Sequence, residues 1–131
     1  MTDRTDKTYA GVWYAQVTYP SKDDSGEDVT ENRMEAVQKG RDIVLTSIPN
    51  DEGSHMVIRL STDDNIATGT WHETTSPSGD FGGAMYSGAG QMVIHEDEQL
   101  MEGQWAGVGY DRKQNKSYVY TGRWKLSRVE A

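Results

Sequence analysis

Glu73 is the residue of this chain best placed to do chemistry inside a fold. It stands two positions beyond Trp71 in Ala67-Thr68-Gly69-Thr70-Trp71-His72-Glu73-Thr74-Thr75. Residues two apart on an extended strand share a face, so Ala67, Gly69, Trp71, Glu73 and Thr75 point one way. If the indole points inward, the carboxylate does too. A carboxylate taken out of water is costly unless it is paired or hydrogen-bonded. Glu73 could therefore meet a ligand cation or amine, seal a barrel end against Arg123 or Arg59, or sit solvated at a rim, since a turn follows it. Tyr86, Tyr118 and Tyr120 lie in glycine-rich segments, and Tyr120 shares the face of Gly122 and Trp124. Tyrosine joins an apolar ring to a polar tip, which suits either the orientation of a ligand or a core whose hydroxyls reach a mouth.

Other chemistries find little support. There is no cysteine, hence no disulfide or thiol nucleophile, and a metal site would need His or carboxylates. His72 alternates with Trp71 and so faces outward, His95 stands in an acidic turn, and neither forms a metal spacing with another ligand. No histidine follows His95, where a haem-binding barrel would need its axial ligand. Ser76 lacks the Gly-x-Ser-x-Gly context of a nucleophile elbow, and Ser87 has no partner of predictable geometry. We expect no metal, no cofactor and no catalytic residue, with one enzymatic alternative. Small barrels can host isomerases or cyclases that use a buried acid and a tyrosine, here Glu73 and Tyr86.

The elements that must position these residues are strands. All four tryptophans occur as Gly-x-Trp, in Gly11-Val12-Trp13, Gly69-Thr70-Trp71, Gly103-Gln104-Trp105 and Gly122-Arg123-Trp124. Each glycine opens a gap where a neighbouring strand or large side chain can approach. Turn signals recur at short intervals, and alternation between them predicts strands at Tyr9–Tyr19, Val29–Gln38, Asp42–Ile48, His55–Ser61, Ile66–Thr75, Gly83–Ile94, Leu100–Tyr110 and Tyr118–Val129. Ser76-Pro77-Ser78-Gly79 is one such turn, and no helical stripe interrupts the series. Hairpin-length links and Gly-x-Trp on both the first and last strands favour an eight-stranded up-and-down barrel over a sandwich. Glycines at Gly82-Gly83, Gly88, Gly90, Gly103, Gly107 and Gly109 would let strands coil to close it.

At 131 residues the chain fits one domain, read as residues 9–131 behind a disordered segment 1–8. The opening Met-Thr-Asp-Arg-Thr-Asp-Lys is no secretory signal, and no apolar run approaches the roughly 18–20 residues of a membrane helix. A cytoplasmic location, with no membrane contact, is the simplest expectation. The net charge of −8 tells against direct nucleic-acid binding, which needs a clustered basic footprint. The acidic groups Asp23-Asp24, Asp63-Asp64 and Glu96-Asp97-Glu98 fall in turns and read as a solubilising surface.

Gly11-Val12-Trp13-Tyr14 resembles the opening strand of the calycins (lipocalins, avidins and fatty-acid-binding proteins), whose up-and-down barrels hold small molecules in the lumen. In those barrels a basic side chain on the last strand often crosses the first tryptophan, and the resemblance assigns that place to the Arg123-Trp124 pair. A more extended resemblance lies in the run Ala67 to Gly79 quoted above, Gly83-Ala84-Met85-Tyr86, and Met101-Glu102-Gly103-Gln104-Trp105-Ala106-Gly107. It is similar to a domain at the C-terminal end of bacterial XRE-type helix-turn-helix regulators, which implies a sensing or binding module. The chain departs from that pattern at Asn32-Arg33, Asp80-Phe81-Gly82 and Ser87, and only about eight residues precede Tyr9. These departures tell against a direct transcriptional role.

The expectation is a ligand-sensing barrel for a small apolar or aromatic molecule, with Trp13, Trp71, Glu73, Tyr86, Trp105, Tyr120 and Arg123 as binding residues. The predominance of Trp and Tyr over a single Phe fits such a lumen better than a core built only for stability. The alternative from another class is an interaction module, with a filled barrel that forms a homodimer.

Overall fold

The computed structural model describes residues 8–20, 26–49, 53–74, 85–111 and 114–130. They form strands β1 (Gly11–Pro20), β2 (Glu27–Lys39), β3 (Asp42–Ser47), β4 (His55–Asp63), β5 (Ile66–Thr74), β6 (Met85–Ile94), β7 (Leu100–Asp111) and β8 (Lys116–Glu130). Each strand pairs antiparallel with its successor and β1 closes on β8, so the sheet is a closed eight-stranded barrel in sequence order. The expected architecture is the observed one, and the sandwich is set aside. The Ser76–Gly79 turn, Gly82-Gly83, the Asp23-Asp24 pair and the segment before Thr8 lie outside the described residues.

Alternation builds the wall. On β2, Asn32, Met34 and Ala36 are buried between the exposed Glu31, Arg33 and Glu35, and β4 buries Met56, Ile58, Leu60 and Thr62 in the same rhythm. Such a two-residue period with one apolar face is what a half-buried strand requires. The inward faces fill the barrel with Ala15, Met34, Leu45, Ile58, Met92 and the four indoles, each at most 4% exposed.

The glycines of the Gly-x-Trp units serve neighbouring strands. Trp105 is registered opposite Gly90 on one side and Gly122 on the other, and Trp124 opposite Gly103. A Cβ on Gly122 would stand 2.5 Å from Trp105 Cζ2 and 1.9 Å from the Thr18 carbonyl oxygen; one on Gly88 would stand 2.6 Å from Trp71 Nε1. Trp71 and Trp105 thus pack where a glycine leaves the backbone without a side chain. Trp105 contacts Trp71 edge-on at 4.8 Å and Tyr120 at 5.4 Å between ring centroids, arrangements favoured by the ring quadrupoles.

The two ends differ. At one end the connections are short: Gly40-Arg41, Asp64-Asn65 and His95–Gln99. Tyr9 plugs that end, fully buried. Its N–H donates to Gln38 Oε1 at 2.6 Å, its carbonyl accepts from Trp13 Nε1 at 2.8 Å, and its hydroxyl donates to Glu98 Oε2 at 3.1 Å. Glu98, expected as part of a solubilising turn, is therefore also a latch on the plug. Arg128 lies over Trp13 at 4.8 Å and donates to the Thr8 carbonyl at 2.7 Å. The basic residue crossing the first tryptophan is Arg128, not Arg123, because position 123 alternates outward with Lys125. At the other end residues 21–26, 48–54, 75–84 and 112–115 connect the strands, and the polar interior gathers there.

Candidate functional site

Among the described residues four polar ones are buried: Asn32, Ser47, Thr62 and Glu73. Two of them are satisfied by backbone. Ser47 Oγ accepts from the Met56 N–H at 3.0 Å, and Thr62 Oγ1 donates to the Arg41 carbonyl at 3.2 Å. The other two are not served in this way. Asn32 is 4% exposed, and both its Nδ2 and Oδ1 lack partners. Glu73 is 5% exposed and accepts one long hydrogen bond, 3.3 Å from Thr30 Oγ1.

That bond fixes the geometry of the site. β2 and β5 are not neighbours in the sheet, so Thr30 and Glu73 meet across the lumen. β2 runs toward the plugged end and β5 runs back from it. One inward step below Thr30 is Asn32, and one inward step below Glu73 is Trp71. The cross-lumen bond thus brings Asn32 and Trp71 to the same level, about 6–7 Å of strand deeper than Glu73.

Trp71 is the exception among the indoles. Trp13 Nε1 donates to the Tyr9 carbonyl, Trp105 Nε1 to the Arg123 carbonyl at 3.2 Å and Trp124 Nε1 to the Gln91 carbonyl at 3.2 Å. Trp71 Nε1 is buried and has no acceptor. A buried donor or acceptor without a partner forfeits about 1–3 kcal/mol of hydration, and folded proteins leave few such groups. Here three orphaned polar atoms on two residues face one level of one barrel.

Above them stands a tyrosine ring. Tyr86 is registered opposite Glu73, and Tyr19, Tyr86 and Tyr120 pack half-buried against the core. Tyr118, half exposed, lies 5.8 Å from Tyr120. Burial raises the Glu73 carboxyl to about 7, partly opposed by the Thr30 hydrogen bond. Burial likewise raises the Tyr19, Tyr86 and Tyr120 hydroxyls, and the Glu73 charge adds to the shift of Tyr19 and Tyr86. At neutral pH the site therefore holds neutral tyrosines around a carboxyl poised between its two forms.

Of the expected binding residues, the structure brings Trp71, Glu73, Tyr86, Trp105 and Tyr120 together. Trp13 points inward but belongs to the plugged end. Arg123 points outward, donates to Glu27 Oε1 at 3.1 Å, and lines an outer groove with Gln16, Thr18 and Lys125. Arg59 is also exposed, so neither arginine is the partner of Glu73; Thr30 is. His72 and His95 are exposed, and among the described residues no three side chains are grouped to hold a metal ion. Thr30, Asn32 and Tyr19 complete the site. Alternation back from Met34 and Ala36, or forward from Trp13, would have pointed to them.

The fold and site define a class: a closed eight-stranded antiparallel barrel, plugged at one end, with an unsatisfied polar level toward the other. No protein-family model matches the chain, and no curated protein matches it either.

Proposed function

We propose that the half of the barrel away from the Tyr9 plug binds a small molecule with an apolar or aromatic body and at least one hydrogen-bonding group. The observation that carries this reading is the trio of orphaned atoms, Trp71 Nε1, Asn32 Nδ2 and Asn32 Oδ1. A ligand that accepts from the two N–H groups and donates to the Asn32 Oδ1 would satisfy groups that the protein itself leaves unpaired. Trp71, Trp105 and Tyr120, edge to face, supply the apolar wall. The calycin-like opening strand and the likeness of the Ala67–Gly79 run to sensing domains of XRE-type regulators agree with such a role, and the link to those regulators rests on those residues alone. Asn32→Leu tests it. The variant should be about 1–2 kcal/mol more stable than the parent, because an apolar group of similar size replaces unpaired polar atoms. Native mass spectra of gently purified protein should show a bound mass, released on denaturation, that the variant lacks. Identical native spectra for parent and variant would overturn the reading.

A second reading is favoured by the register. Glu73 and Tyr86 stand opposite each other on β5 and β6, and an acid that titrates near 7 is suited to proton transfer at neutral pH. On that reading the barrel is an isomerase or cyclase. The bound molecule would then leave the protein chemically altered, and Glu73→Gln would bind it and return it unchanged.

A further inference from the structure

The ligand's charge can be argued from what surrounds Glu73. We propose that the lumen takes a small organic cation, an amine with an aromatic or apolar body, whose ammonium group is received by Glu73 within the tyrosine ring. The proposal rests on the reading of the lumen as a binding site and specifies what enters it.

Three observations converge on it. First, Glu73 is an almost fully buried carboxyl with a single hydroxyl for a partner, 3.3 Å away. Second, the groups around it on the packed strands are Tyr19 on β1, Thr30 on β2, Met56 on β4 and Tyr86 on β6, with Tyr118 and Tyr120 on β8 next to Tyr86. These are aromatic rings, neutral hydroxyls and a thioether, and ring quadrupoles of this kind attract an ammonium ion. Third, the described cations are placed elsewhere. Arg59, Arg33 and Lys125 alternate outward, Arg123 is paired with Glu27, and Arg128 is engaged over Trp13 at the plugged end. Lys116 is exposed at the outer end of β8, and His55 is exposed beside Ser47. Among the described residues, the site thus offers a buried negative group beside aromatic rings and no basic side chain. One level deeper, Asn32 and Trp71 offer a donor pair and an acceptor. A ligand with an amine at one end and a hydroxyl or carbonyl about 6–7 Å away would meet both levels.

Tyramine has that layout, and para-hydroxyphenylacetamide and para-hydroxyphenylacetate keep the ring and hydroxyl while making the head group neutral or anionic. Calorimetric titration of the intact protein with each at pH 8 and pH 6 tests the proposal. Tyramine should bind at least tenfold tighter than the amide at pH 8, and the acetate weakest. An ammonium ion needs the ionised carboxylate, so tyramine affinity should fall about tenfold from pH 8 to pH 6 as Glu73 takes up its proton. Glu73→Gln, checked for folding by its thermal transition, should abolish that slope and the preference for the amine while retaining amide binding. If the amide binds as tightly as tyramine, or tyramine affinity is flat or rises on acidification, the cation proposal fails and the lumen reading stands. If none of the three binds, both fail.

Discussion

At the scale of single residues, the clearest contrast is between two indoles that differ in one hydrogen bond. Trp71 and Trp124 are 1% and 2% exposed, yet Trp124 Nε1 has the Gln91 carbonyl and Trp71 Nε1 has nothing. Tryptophan to phenylalanine removes similar volume and the N–H in both. At position 124 it also strands a carbonyl, so Trp124→Phe should cost about 1 kcal/mol more than Trp71→Phe. Urea unfolding of the two variants measures the difference, and equal costs would mean that Trp71 already has an acceptor. The same contrast shows how much of the site was legible. Glu73 was readable because it follows Trp71 by two. Alternation from Met34 makes Asn32 readable as an inward residue, but not its lack of partners, since a sequence does not display missing bonds. Arg123 misled because its neighbour in sequence is Trp124, while the strand period puts it on the other side of the wall.

At the scale of elements, the Gly-x-Trp repeat predicted strands and closure correctly, because a period of two and short turns are local properties. Which glycine seats which indole is not local. It depends on register, which places Gly122 under Trp105 and Gly103 beside Trp124. Gly122→Ala should therefore destabilise the fold by about 1–3 kcal/mol, since the added Cβ meets the Thr18 carbonyl oxygen as well as the Trp105 ring and backbone on a neighbouring strand gives way poorly. Thr121→Ala, next to it on the exposed face, should change stability by less than about 0.5 kcal/mol. Comparable losses at the two positions in chemical denaturation would contradict the seating of Trp105 on Gly122.

At the scale of the molecule, the barrel is graded from an apolar, plugged end to a polar end, and its stability should carry the mark of that gradient. Glu73 is raised from 4.5 to about 7 in the folded protein, so the folded state holds the proton more tightly than the unfolded one. Stability then falls as pH rises from about 4.5 to 7 and levels off above, a loss on the order of 3 kcal/mol from this group. Urea midpoints for the parent, taken against Glu73→Gln across that range, should show the slope vanish in the variant. If this polar end binds a ligand as proposed, the four indole N–H signals should report it. Indole nitrogen–proton spectra should be recorded while tyramine, its amide analogue and its acid analogue are added in turn. At least one of them should move the Trp71 signal saturably toward the hydrogen-bonded range while Trp13, locked onto Tyr9 at the plugged end, stays in place. A Trp71 signal that none of the three displaces, or one that moves no more than that of Trp13, would contradict it.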